Sequence, residues 1–181
     1  MKMEFKKPEC FEDMLELQKV LDDNIHNVRE RTFEDTRLSL IAELIEFNEE
    51  TLHSHKTWKE KRYSKDKELE ELTDIFFFVC QCFNYHNTKG EKLENEKKKA
   101  GDVFDKFIGY PNVNQNNANL IQFINFFIID EYIVAMKQLI GIVLAHGYLK
   151  SNILNTYWEK WQKNMDRIGK EWRWWLSIYK N

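Results

Sequence analysis

Residues that interrupt helices are scarce in this chain, which has six glycines and two prolines among 181 residues. Apolar residues recur with a helical period over long segments and almost never alternate in the way that a half-buried strand requires. These two features predict an all-α protein, a helical bundle of about six helices. The helices are expected at roughly residues 9–29, 34–53, 66–87, 93–107, 117–147 and 150–168.

The composition is typical of one domain, which we expect to span residues 1–181. Apolar residues make up 43% of the chain and aromatic residues 14%, enough to build a core for a chain of this length. The formal net charge of −3 gives no global basic excess that would attract duplex nucleic acid. Nucleic acid is therefore not expected as a partner.

The cysteines and the apolar segments bear on the compartment. Cys10, Cys80 and Cys82 form neither an even set nor a C-x-x-C pair, which indicates reduced thiols rather than a disulfide framework. The N-terminal residues MKMEFKKPEC lack the apolar segment of a secretory signal, and the apolar run 120–129 is too short to span a bilayer. We expect a soluble, cytoplasmic protein in a reducing compartment, with no membrane partner.

Two of the predicted helices carry acidic residues on a narrow stripe beside their apolar face. The first has Glu43, Glu46 and Glu50, and the second has Glu71 and Asp74 at a spacing of three. Acids at the edge of an amphipathic helix are also common without any function, and that interpretation stays open.

Antiparallel packing of these helices would bring four carboxylates together. Each contact between like charges at about 4 Å costs about 4 kcal/mol at an effective dielectric constant of about 20. A cation should therefore bind among Glu43, Glu46, Glu71 and Asp74. Oxygen-only ligands favour Mg²⁺, with Mn²⁺ as the other candidate. A di-iron site would need two Glu-x-x-His elements, and the chain has only one, at residues 50–53.

Three further features could hold an anionic or aromatic ligand. Residues 54–67 contain six Lys or Arg residues against two acids, and they also include a tryptophan. Gln18 lies in the middle of the apolar face of the first helix, where it is either a core glutamine or a group that contacts a pyrimidine base. A polar stripe follows the last helix and is either a phosphate clamp or a solvated face. The candidate residues in these three places are Gln18, Lys56, Trp58, Lys59, Tyr157, Lys160, Asn164 and Arg167.

Five of the six tryptophans lie between residues 158 and 175. We expect this C-terminal segment to pack on the core or on a second subunit. Stacking on single-stranded nucleic acid is the less common use of such a pattern.

With these residues in place, the chain resembles the dimeric all-α dUTPases, within the wider all-α NTP pyrophosphohydrolase group that includes MazG-like proteins. The resemblance covers residues 12–170. It is carried by LELQKVLDDNI around Gln18, ELIEFNE at 43–49, K-x-W-K at 56–59, ELTD at 71–74 and Y-x-x-K-x-x-x-N-x-x-R at 157–167. The sequence departs from the family at RIGKEWRWW near the C-terminus and in lacking the usual histidine after ELTD.

The resemblance implies a function and assigns roles. The four acids would bind magnesium, the matching Gln, Trp and Asn residues would contact uracil, and Lys and Arg near the C-terminus would bind phosphates. Phe77 or Phe78 would screen the 2′-position of the sugar, and the sequence does not decide between them. The implied reaction is Mg²⁺-dependent hydrolysis of dUTP, and also of dUDP, to dUMP, with pyrophosphate released from dUTP.

Glu46 or Glu43 would act as the general base in this reaction. A homodimer is also implied, and it would bury the long apolar helix predicted at 117–147. Two alternatives remain at this point. One is a MazG-like or dCTP-type pyrophosphatase with another base preference, and the other is a helical interaction module without catalysis.

Overall fold

The computed structural model of the protein describes residues 5–25, 29–86, 91–107 and 117–168. These ranges contain seven α-helices and no strand, so the predicted all-α class is confirmed. The helices are α1 (Phe11–Asn24), α2 (Phe33–Glu50), α3 (Lys65–Tyr85), α4 (Glu91–Lys106), α5 (Asn117–Ile128), α6 (Tyr132–Ala145) and α7 (Lys150–Arg167).

The prediction of a single helix at 117–147 is wrong, because the helix is interrupted between α5 and α6. Asp130 adopts a left-handed conformation with φ of 65°. The amide of Glu131 donates to the carbonyl of Phe126 at 2.9 Å, which is the bond that closes a Schellman motif at a helix end. The Asp130 carboxylate accepts from Tyr132 Oη at 2.7 Å and pairs with Arg37. Apolar residues continue on both sides, so periodicity alone does not detect this break.

Helix α1 also ends earlier than the predicted residue 29. It stops at Asn24, and Ile25 is already extended. Asp22 and Asp23 lie in its last turn, where negative charge is unfavourable next to the partly negative carbonyl end of a helix. Asn24 Nδ2 donates to the carbonyl of Val20 at 2.8 Å, within the last turn of the helix.

Helices α2 and α3 pack as an antiparallel pair. Thr36, near the start of α2, lies against Cys82, near the end of α3, with Oγ1 and Sγ 3.4 Å apart. Glu46, near the end of α2, lies close to Glu71, near the start of α3. Each helix begins at a side-chain cap: Thr32 Oγ1 accepts from the amide of Asp35 at 3.2 Å, and Ser64 caps α3 in the same way.

Helix α7 packs against α1 and α3 through aromatic residues. Tyr157 is fully buried, and its ring stacks on that of Phe77 with centroids 4.0 Å apart. Trp161 Nε1 donates to the carbonyl of Leu17 at 2.8 Å. This packing fixes the polar stripe of α7 beside the acidic residues of α3.

No single described helix has both the length and the apolar content needed to cross a bilayer. Only α6 and α7 taken together meet that test, and they are bent by 97° from one another. Most of the predicted loop at 109–119 and the tryptophan-rich segment beyond residue 168 lie outside the described residues.

Candidate metal centre

Three acidic side chains meet between α2 and α3. Glu43, Glu46 and Glu71 each place one carboxylate oxygen within 4.8 Å of the other two. The antiparallel packing of the helices explains this meeting. Glu43 and Glu46 are three residues apart on α2, and the residues that face them on α3, Glu71 and Asp74, are also three apart. Glu46 is exposed, while Glu43 and Glu71 are half-buried. We call these three residues, together with Asp74, the carboxylate cluster.

Asp74, the fourth predicted acid, is engaged by a lysine of α7. Lys160 Nζ forms an ion pair with Asp74 Oδ2 and donates to the carbonyl of Glu70 at 3.1 Å. Asp74 still lies near the other acids, since its charge acts on Glu43. The structure therefore brings three acids into contact distance and places Asp74, paired with one ammonium group, beside them.

Glu50, which shares the acidic stripe of α2, is not among the acids whose oxygens meet, although its charge still contributes to the raised pKa of Glu71. It pairs with Lys61 of the loop that joins α2 to α3. Helical spacing alone could not separate Glu50 from Glu46, because both lie on the same stripe of the helix.

Ionisation of the carboxyl groups in the carboxylate cluster is unfavourable without a cation. Burial, followed by the charges of Asp74, Glu46 and Glu71, raises the pKa of Glu43 to about 7. Burial, followed by neighbouring acids, also raises the pKa of Glu71. For Asp74, burial raises the pKa and Lys160 opposes that rise. A divalent cation would favour the ionised form of all four groups, and oxygen-only donors fit a hard ion such as Mg²⁺.

The two candidate phenylalanines differ in accessibility. Phe77 is only 5% exposed and is covered by Tyr157. Phe78 is partly exposed, and the Arg31 guanidinium lies 5.6 Å from the centre of its ring. Phe78 is therefore the one that a ligand could reach in this conformation.

Gln18 is 3% exposed, and both ends of its amide have partners in the core. Tyr157 Oη donates to Gln18 Oε1 at 3.2 Å, and Gln18 Nε2 donates to Asp22 Oδ1 at 2.7 Å. Gln81 Nε2 donates to the same Asp22 oxygen at 2.5 Å. Gln18 is therefore bonded as a core glutamine, with side-chain partners.

Sequence reasoning missed Asp22 and Gln81. Asp22 lies four residues after Gln18, on the buried side of α1, so its position was the available signal. Gln81 carries no such signal, because its partner comes from another helix.

The basic segment contributes both exposed and paired side chains. Trp58 is 77% exposed, and Lys59 is exposed as well. Lys56 forms an ion pair with Glu49. A cavity of about 560 Å³ lies within residues 49–63 and is lined by Lys56 and Lys59 but not by Trp58. It begins one helical turn beyond Glu46.

The remaining candidates continue along α7. Asn164 is half-buried and Arg167 is exposed, and they follow Lys160 at helical spacing. A rise of about 1.5 Å per residue puts Arg167 about 10 Å along the axis from Lys160.

The fold and the site together define a class, that of helical proteins able to hold a divalent metal ion between helices on carboxylate oxygens. The particular family follows from the sequence. The model of the dUTPase family matches residues 10–172, so the chain belongs to the dUTPase family. It is a dUTP diphosphatase, a hydrolase that acts on dUTP, and enzymes of this family generally use a divalent metal. No curated protein sequence is significantly similar to the chain.

Proposed function

We propose that the protein hydrolyses dUTP to dUMP and pyrophosphate in an Mg²⁺-dependent reaction, and that it also converts dUDP to dUMP. The observation that carries this proposal is the meeting of Glu43, Glu46 and Glu71 within 4.8 Å in a chain of the dUTPase family.

Glu43, Glu46, Glu71 and Asp74 would hold the Mg²⁺, and Mn²⁺ could replace it. When bound, the ion would screen the phosphate charge and make a nearby water easier to deprotonate. Glu46 is exposed and is therefore our first choice for the group that accepts the proton, with Glu43 as the second. Both residues lie on α2, and one carboxylate oxygen of each lies within 4.8 Å of the other.

The phosphates would be bound by cationic side chains on two sides of the carboxylate cluster. Lys56 and Lys59 would act from the loop between α2 and α3. Lys160 and Arg167 would act from α7, where ammonium and guanidinium groups at helical spacing can follow a phosphate chain.

The nucleoside would lie beyond the carboxylate cluster along α3. Trp58 and Asn164 would contact uracil. Gln18 would also contact it, through the second N–H of its amide and the second lone pair of its amide oxygen, which its core partners do not use. Phe78 would screen the 2′-position of the sugar. Tyr157 is fully buried, so its part would be to hold Phe77 and Gln18 in place.

A panel of nucleoside triphosphates, with and without Mg²⁺, tests this function. We expect pyrophosphate release from dUTP that EDTA abolishes, and phosphate release from dUDP. A preference for dCTP or for another base would favour the MazG-like or dCTP-type alternative. Absence of metal-dependent turnover on every nucleotide would leave only the helical interaction module.

We also propose a homodimer, formed on an apolar face shared by α2 and α5. Leu38 and Ile45 of α2 are 65% and 47% exposed, and Ile121 of α5 is 60% exposed. Ile41 and Ile124 lie between them in a groove of about 260 Å³. Exposed apolar side chains in such a patch commonly mark a subunit interface. Light scattering should return twice the 22.0 kDa mass of one chain, and a monomer at micromolar concentration would contradict the dimer.

The cytoplasmic location and the single domain over residues 1–181 stay predictions. The three cysteines are free, and Cys80 and Cys82 are buried, which suits a reducing compartment.

A further inference from the structure

Lys160 is in contact with the carboxylate cluster itself. Its ammonium group forms an ion pair with Asp74 Oδ2, and it also donates to the carbonyl of Glu70 at 3.1 Å. Both side chains of the pair are about one fifth exposed, at 19% for Lys160 and 20% for Asp74. Since buried aromatic residues fix α7, the fold places Lys160 beside Asp74.

Lys160 supplies positive charge to more than its direct partner. It opposes the rise in pKa not only of Asp74 but also of Glu43 and Glu71. Within the described residues, it is the one ammonium bonded to any of the four acids. The carboxylate cluster is thus partly neutralised by a group of the protein.

The Asp74 carboxylate that binds this ammonium is also one of the proposed metal ligands. An ammonium and a divalent cation repel each other, so binding both to one carboxylate carries a Coulomb cost. Binding of the Lys160 ammonium to Asp74 therefore opposes binding of a metal ion there, and the metal ion opposes binding of the ammonium.

We propose that Lys160 is the internal counter-ion of the carboxylate cluster and that a divalent cation entering at Asp74 exchanges with it. Metal binding then releases the ammonium toward the side of the cluster where phosphate is expected. This inference rests on the metal site of the proposed function. It adds that Lys160 lowers the affinity for the metal ion before any nucleotide is present.

Titration of Mn²⁺ into the nucleotide-free full chain, with free ion measured by electron paramagnetic resonance, tests the exchange. Lys160→Met removes the competitor, so we expect Mn²⁺ to bind about tenfold more tightly, the ratio that corresponds to about 1.4 kcal/mol. Lys163→Met is the matched control, because Lys163 is exposed on the same helix and its replacement makes the same change in charge. It should leave the affinity within about twofold, as expected for an exposed and screened charge.

Stability gives a second readout, which a purely structural role of Lys160 would not reproduce. Without metal, Lys160→Met leaves the Asp74 carboxylate unpaired, and the urea midpoint should fall. At saturating Mn²⁺ the difference from the wild type should close, because linkage requires the ion and the ammonium to act on each other equally. A difference that persists at saturation would overturn the exchange.

The wild-type chain provides a test that does not depend on a variant. Acetylation of lysines, followed by mass spectrometry, should modify Lys160 several-fold faster when Mg²⁺ is added and leave Lys163 unchanged. Equal labelling of Lys160 with and without metal would overturn the inference, as would equal Mn²⁺ affinity in the wild type and Lys160→Met. If neither protein bound Mn²⁺ at all, the proposed metal site would fail together with it.

Discussion

Replacing Glu46 by glutamine should reduce kcat for dUTP by about 100-fold or more, because the proposed general base and one metal ligand are lost together. The amide has nearly the same volume as the carboxylate, and Glu46 is exposed, so the fold should be unaffected. Pyrophosphate release measures the activity, and thermal unfolding followed by circular dichroism checks the structure.

Glu50→Gln is the control for this experiment. It makes the same chemical change one turn further along α2, at a residue that pairs with Lys61 outside the carboxylate cluster. Because Glu50 is not one of the three acids that meet between α2 and α3, we expect its activity within about threefold of the wild type. Wild-type turnover by Glu46→Gln would reject the assignment of Glu46, whereas equal losses in both variants would point to the general charge of the stripe.

Replacing Asp22 by asparagine should stabilise the protein at pH 8. Asp22 is 8% exposed, and burial raises its pKa from 3.8 to about 6, although hydrogen bonds from Gln18 and Gln81 act in the opposite direction. At pH 8 the folded protein therefore contains a buried charge that the unfolded chain accommodates in water. Asparagine keeps an acceptor oxygen for both glutamines, so the free energy of unfolding should rise by about 2 kcal/mol.

The extra stability of Asp22→Asn should grow as pH rises. A raised pKa means that the folded state binds the proton more tightly than the unfolded state does. The contribution of Asp22 to stability is thus fully present below its unfolded pKa, near 3.8, and is lost as pH rises through about 6. The difference between Asp22→Asn and the wild type should shrink as pH falls from 8 toward 4.5.

Urea unfolding across this range measures the difference, and charges elsewhere cancel because both proteins carry them. Asp23→Asn is the control, since Asp23 is the adjacent residue and is exposed. It should change stability by less than about 0.5 kcal/mol at every pH. A stability difference between Asp22→Asn and the wild type that is no larger at pH 8 than at pH 4.5 would show that the buried carboxylate is not costly.

Much of the architecture could be predicted from local pattern. Five of the seven described helices follow individually from apolar periodicity, and the other two, α5 and α6, were predicted as one helix. The break depends on Asp130, whose left-handed conformation is held by Arg37, a residue far away in the chain. Such a contact has no counterpart in the sequence around residue 130.

The arrangement of the acidic residues followed only in part from the sequence. The spacing of Glu43 with Glu46 and of Glu71 with Asp74 placed each pair on one side of its own helix, and in the structure Glu43, Glu46 and Glu71 lie within 4.8 Å of one another. The roles of these residues, and of the others assigned to base, sugar and phosphate, stay predictions for the experiments above.

The sequence by itself determined the helical class, the amphipathic faces and the two acidic stripes, because helix geometry depends on neighbours within about four residues. Tertiary structure decided which stripe members meet. It paired Glu50 with Lys61 and Lys160 with Asp74. It also placed the amide of Gln18 where Tyr157 and Asp22 hydrogen-bond to it. Most of these contacts join separate helices, and their distances depend on how the whole core packs, which local spacing cannot specify.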